Sequence, residues 1–131
     1  MHSAVLIVDD EPLIRETASE LLSGAGLSIL AAANGSEALE MLNKSGHSVA
    51  VLLTDIRMPG GMNGVDLARM AQRTWPWIRV IVMSGYYESG PDGLPNNARF
   101  ISKPWQPEEV INSVLHAASE FASVQTNAAV H

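Results

Sequence analysis

Val49-Ala50-Val51-Leu52-Leu53 is an unbroken apolar run that stops at Thr54-Asp55. A strand with one wet face alternates apolar and polar residues, whereas a run without alternation is covered on both faces, the habit of parallel sheets. Working outward, the same kind of run recurs at Val5-Leu6-Ile7-Val8, Ser28-Ile29-Leu30-Ala31 and Ile78-Arg79-Val80-Ile81-Val82-Met83, with a shorter one at Arg99-Phe100-Ile101-Ser102.

Segments with helical spacing separate these runs. Leu13, Ile14, Ala18, Leu21 and Leu22 form one face; Pro12 suits a first helical turn, and Gly24 or Gly26 suits the stop. Ala38, Leu39, Met41 and Leu42 follow Ser36 as an expected cap. Leu67, Ala68, Met70 and Ala71 follow Asn63-Gly64, and Val110, Ile111, Val114, Leu115 and Ala118 follow Pro107-Glu108-Glu109. Strand and helix alternate, which predicts an α/β fold: a doubly wound five-stranded parallel sheet with right-handed crossovers, in the flavodoxin-like order 2-1-3-4-5. Residues 86–98 occupy the place of the fourth helix. Pro91, Gly93 and Pro95 interrupt them, so that helix is expected to be short or missing. One domain is expected over residues 3–121, with 122–131 a flexible C-terminal tail.

Composition narrows the function. A chain of 131 residues suits a single domain that buries roughly two-thirds of its unfolded surface. It has no cysteine, which excludes thiolate catalysis and zinc-thiolate sites and fits a cytoplasmic location. Eight Lys+Arg against 14 Asp+Glu give a formal charge of −6 with no basic cluster, so no direct nucleic-acid partner is expected. No apolar stretch is long enough to span a membrane, and Met1-His2-Ser3-Ala4 lacks a basic signal-peptide region. His2, His47, His116 and His131 have no ligand spacing, and Trp75, Trp77 and Trp105 read as cover for an edge of the core.

In doubly wound sheets the site lies beyond the carboxyl ends of the strands, where the strand order reverses. Asp9 and Asp10 follow the first strand, Thr54 and Asp55 the third, Ser84 and Gly85 the fourth, Lys103 and Pro104 the fifth. With strands 1 and 3 adjacent, Asp9, Asp10 and Asp55 converge, and their mutual repulsion calls for a cation. Hard oxygen donors select Mg2+ over zinc. A carboxylate, a divalent cation, an amine and a hydroxyl are the parts that stabilise in-line phosphoryl transfer, here onto the Asp as an acyl phosphate.

Four motifs in order, Asp9-Asp10-Glu11-Pro12, Asp55-Ile56-Arg57-Met58-Pro59-Gly60-Gly61-Met62-Asn63-Gly64, Met83-Ser84-Gly85-Tyr86 and Phe100-Ile101-Ser102-Lys103-Pro104, cover nearly the whole chain. In these the sequence resembles the receiver domain of two-component response regulators. The resemblance implies that Asp55 accepts a phosphoryl group from a sensor histidine kinase or a histidine phosphotransfer protein. It implies that Asp10, Asp55 and the main-chain carbonyl of Arg57 bind Mg2+, with Asp9 assisting through water. It further implies that Lys103 contacts the phosphoryl group, that Ser84 moves to hydrogen-bond it, and that Phe100 is an aromatic switch. Such a domain catalyses only its own phosphorylation and dephosphorylation and regulates a downstream protein.

Two other classes make different demands. A magnesium-dependent phosphatase of the haloacid dehalogenase kind wants Asp-x-Asp after the first strand, whereas Asp9-Asp10 is an adjacent pair. A pseudo-receiver that binds without phosphorylation would not need Asp10, Asp55 and Lys103 together.

Overall fold

A computed structural model describes residues 4–56, 62–84, 98–102 and 106–130, with side chains up to residue 119. The elements are β1 (Ala4–Val8), α1 (Pro12–Gly24), β2 (Ser28–Ala32), α2 (Gly35–Ser45), a 3-10 turn at Gly46–Ser48, β3 (Val49–Asp55), α3 (Gly64–Thr74), β4 (Arg79–Ser84), β5 (Arg99–Ser102) and α4 (Pro107–Val130). The five strands form one parallel sheet in the order β2-β1-β3-β4-β5. This is the doubly wound topology expected from the sequence. The segment 86–98, expected to hold a short or absent fourth helix, lies outside the described residues except for Ala98. The last helix runs past residue 121, the expected domain boundary, to Val130.

The sheet is covered on both sides. Leu6, Val8, Leu52, Val80 and Val82 pack against Ala38 and Leu42 of α2 and Leu67, Ala68 and Ala71 of α3. Val5, Ile7, Leu53, Ile81 and Met83 pack against Ala18 and Leu22 of α1 and Val110, Val114 and Ala117 of α4. Every residue of β3 is buried, as its continuous apolar run requires. Each buried Leu, Ile, Val or Met side chain contributes about 1.5–3 kcal/mol relative to its exposed state. Leu13, read as part of the core face of α1, is instead 74% exposed. It sits in the first turn of α1, where Ile14 is only half-buried, and the fully buried positions of the helix begin at Ala18.

One irregularity interrupts the ladder between β1 and β3. Ala4 pairs with Val49, but Val5 pairs with Val51, so Ala50 is an extra residue. Ala50 and Val51 consequently belong to the same core layer, and the alternation of β3 is shifted by one from there on.

Helix termini follow local chemistry. α3 opens on a capping box: Asn63 Oδ1 accepts from the backbone N–H groups of Val65 and Asp66, at 2.9 and 3.0 Å, while Asp66 Oδ2 accepts from Asn63 N–H. The cap of α2 is Asn34 rather than Ser36. Helical geometry starts at Gly35, which leaves Ser36 inside the first turn, and Asn34 Oδ1 accepts from Glu37 N–H at 2.9 Å. α1 ends at Gly24, and Gly26 takes the left-handed φ of 90° that turns the chain toward β2. At the opposite end of the sheet from the strand C-termini, Trp75 and Trp77 pack on the core, and Trp77 Nε1 donates to Gly46 O at 3.1 Å. Both therefore cover a core edge as expected; Trp105 lies outside the described residues.

Candidate functional site

The carboxyl ends of β1 and β3 lie side by side, because Val8 pairs with Thr54. Asp9 follows the first and Asp55 ends the second. Asp9, Asp10 and Asp55 each offer an oxygen, and these atoms lie within 4.8 Å of one another. Asp9 is fully buried, Asp55 is buried, and Asp10 is exposed. The three residues expected to converge do so.

Each acid is held by its own backbone surroundings. Asp9 N–H extends the ladder to Ala32 O, Asp9 Oδ1 accepts from Glu11 N–H at 2.9 Å, and Arg15 Nη1 donates to Asp9 O at 2.8 Å. The turn from β1 into α1 is thus fixed at three atoms of one residue. Pro12, at the start of the helix, has no N–H to leave unsatisfied. Asp55 Oδ1 accepts from Ile56 N–H at 2.9 Å, a group that also reaches Met83 O at 3.2 Å. Thr54 Oγ1 donates to Asp55 O at 2.9 Å.

The donor set is all carboxylate, with no imidazole or thiolate among the described members of the cluster. Clustered carboxylates repel unless a cation or proton intervenes. Hard oxygen donors with one solvent-facing member suit an ion that keeps several waters, as Mg2+ does. The residues therefore fit such an ion.

Ser84 ends β4, is buried, and pairs in register with Ser102 of β5; the pair before it joins Met83 with Ile101. Met83 in turn pairs with Asp55. Ser84 thus stands one residue beyond the partner of Asp55, at the same end of the sheet. Phe100 pairs with Val82 and is half-buried against the α2/α3 core layer. Arg57, Lys103 and Tyr86 lie outside the described residues, although Lys103 directly follows Ser102 in sequence.

Sequence reasoning missed two contributors. Arg15 was given no role, yet it reaches back to Asp9. Gly64 was read as part of a helix start, yet its N–H donates to Ile56 O at 2.8 Å and its Cα faces the Asp55 peptide. The first could have been anticipated from its place about one turn into the helix that follows the acid pair. The second is a tertiary contact with no local signal beyond the glycine itself.

A doubly wound sheet with an acidic cluster at its switch point defines a flavodoxin-like α/β domain able to hold a metal ion. The family profile described as "Response regulator receiver domain" matches residues 5–115, and the chain belongs to that family. It is 34% identical over 115 residues to the sensor kinase CckA of Brucella abortus (strain 2308), covering 86% of this chain and 12% of that protein. It is 34% identical over 131 residues to the DNA-binding transcriptional regulator NtrC of Escherichia coli (strain K12), covering 92% of this chain and 26% of that protein. The chain therefore spans about an eighth and about a quarter of these two relatives. Among solved structures, it is similar to a two component transcriptional regulator AraC from Clostridium phytofermentans ISDg, with a TM-score of 0.81 and 31% identity over 95% of this chain and 98% of that one. Among the described residues, no helix is long and apolar enough to cross a membrane.

Proposed function

We propose that this chain is the phosphoacceptor of a two-component phosphorelay, taking a phosphoryl group on Asp55 from a phosphohistidine of a sensor histidine kinase or a phosphotransfer protein. The observation that carries the reading is the convergence of Asp9 and Asp10 on Asp55 at the switch point of the sheet. An Asp55 carboxylate oxygen attacks phosphorus, an O–P bond forms, the N–P bond breaks, and the departing imidazole takes up a proton. Mg2+, when bound, offsets the negative charge that gathers on the phosphoryl oxygens. Asp10, Asp55 and the main-chain carbonyl of Arg57 would hold the ion, with Asp9 assisting through water. Lys103 binds the phosphoryl oxygens from the end of β5, and the Ser84 hydroxyl donates to one of them. Phe100, half-buried between core and solvent, changes its packing in response. The result is a change of surface read by a downstream protein, in the cytoplasm. The chain turns over no external substrate as a conventional enzyme does.

The test is incubation with acetyl phosphate and Mg2+, followed by intact mass. One phosphoryl group per chain is expected, lost on treatment with hydroxylamine. An Asp55→Asn variant that acquires it at the wild-type rate overturns the proposal.

A further inference from the structure

The first residue of α3 lies directly on the acceptor strand. A Cβ built on Gly64 would collide with Asp55 O, and would lie 2.8 Å from Asp55 C and 2.9 Å from Ile56 Cα. Real Cβ atoms do not approach main-chain atoms so closely, and none of these atoms belongs to a flexible side chain that can swing away. The approach is held from both sides. On the helix side, Gly64 N–H donates to Ile56 O at 2.8 Å. On the other side, Asp55 is bound into the sheet by its pairing with Met83.

From this contact we infer that Gly64 is a positioning residue for phosphoryl acceptance: its missing side chain sets where the Asp55 carboxylate stands relative to Asp9 and Asp10. The inference rests on Asp55 being the acceptor. A methyl group at residue 64 must push either the start of α3 outward or the Asp55 peptide sideways. β3 is buried along its whole length, yet Asp55 is its last residue, bonded on the β4 side and followed by a bend at Ile56. The end of the strand yields with the helix, and the carboxylate leaves the position in which its oxygen meets those of Asp9 and Asp10. A misplacement of order 1 Å at a reacting group costs about a hundredfold in rate.

Gly64→Ala tests this, beside Asn63→Ala as a reference that loosens the same helix terminus without placing an atom against Asp55. Acetyl phosphate uptake is measured at a low temperature at which circular dichroism shows each variant fully folded, with trimethylamine N-oxide added if Gly64→Ala needs it. Uptake by Gly64→Ala should fall by about ten- to a hundredfold while Asn63→Ala stays close to wild type. Amide resonances of Asp55 and Ile56 should move in Gly64→Ala and stay in place in Asn63→Ala. Equal losses of rate in both variants, or unmoved Asp55 and Ile56 resonances in folded Gly64→Ala, overturn the inference. Failure of the wild type to accept a phosphoryl group would instead overturn the reading on which it rests, and the resonances would still report the positional claim.

Discussion

Arg15 Nη1 donates to the main-chain oxygen of Asp9 at 2.8 Å, across six residues of chain. A half-buried guanidinium on α1 therefore braces the turn that presents Asp9 and Asp10. The bond is charge-assisted on the donor side, which places it among the stronger ones.

Removing that donor leaves Asp9 O, on a fully buried residue, short of one partner. Arg15→Ala should lower the unfolding free energy by about 1–2 kcal/mol, with Arg15→Lys recovering part of it. Urea denaturation in metal-free buffer measures this. An unchanged midpoint and slope for Arg15→Ala would show that the brace is energetically idle.

Asp10 is the exposed member of the acidic cluster, so water and ions reach it. Asp10→Ala should weaken Mg2+ binding by at least about ten- to a hundredfold, the scale on which even residues supporting a ligand matter. The fold should survive, and in metal-free buffer its stability should hold or rise, because one of three repelling charges is gone. Isothermal titration with Mg2+, paired with a thermal melt in chelator, checks both parts. Wild-type Mg2+ affinity in the variant would remove Asp10 from the ligand set.

Gly46 meets two indoles. Trp77 Nε1 donates to its carbonyl, and a Cβ at residue 46 would lie 2.7 Å from Trp75 Cδ1. Trp77→Phe should cost about 1 kcal/mol for the lost hydrogen bond. Gly46→Ala should cost about 1–3 kcal/mol as the Trp75 ring is displaced. Because the substitutions share Gly46, the double variant should depart from additivity. A denaturant double-mutant cycle followed by far-ultraviolet circular dichroism reads the coupling. Strict additivity would mean that the two rings do not act through that residue.

The capping box of α3 makes a separable prediction. Asn63→Ala removes the acceptor for two backbone N–H groups, and Asp66→Ala removes its reciprocal partner. The first should destabilise by about 1 kcal/mol and the second by less. Thermal melts rank them, and the reverse ranking would put the main support for the helix start in Asp66.

The fold was legible where the signal was one-dimensional. Unbroken apolar runs such as Val49–Leu53 announce strands covered on both faces, and their alternation with helical spacing leaves few topologies. The acidic cluster was legible for the same reason, since topology alone puts the ends of strands 1 and 3 side by side. What escaped depended on details that no periodicity carries. Leu13 has the right spacing for a core face, yet no residue of the first turn of α1 is fully buried. Ser36 is as good a capping residue as Asn34, and only the backbone decides which of them precedes the first helical turn. The closeness of Gly64 to Asp55 belongs to the path of the loop between them, and the sequence there reads only as Pro, Gly and Asn suited to turning.

Ala50 stands at the far end of β3 from the site, yet it governs the chemistry by counting. Side chains on a strand change face at every residue. Leu53 faces the layer of α1 and α4, and Asp55, two residues on, shares its parity with it; so does Asp9 with Ile7. That agreement exists only because the ladder admits one supernumerary residue after Val49. Were Ala50 instead to take a regular place in the ladder opposite Val5, every later residue of β3 would slip by one, and Asp55 would project toward α2 and α3 while Asp9 still projected toward α1. Evolution can absorb or discard a residue at the bulge and keep the acids together, provided that Val51 stays opposite Val5. A slip of one in the pairing separates them, so the register that the bulge at Ala50 maintains is inherited along with the carboxylates.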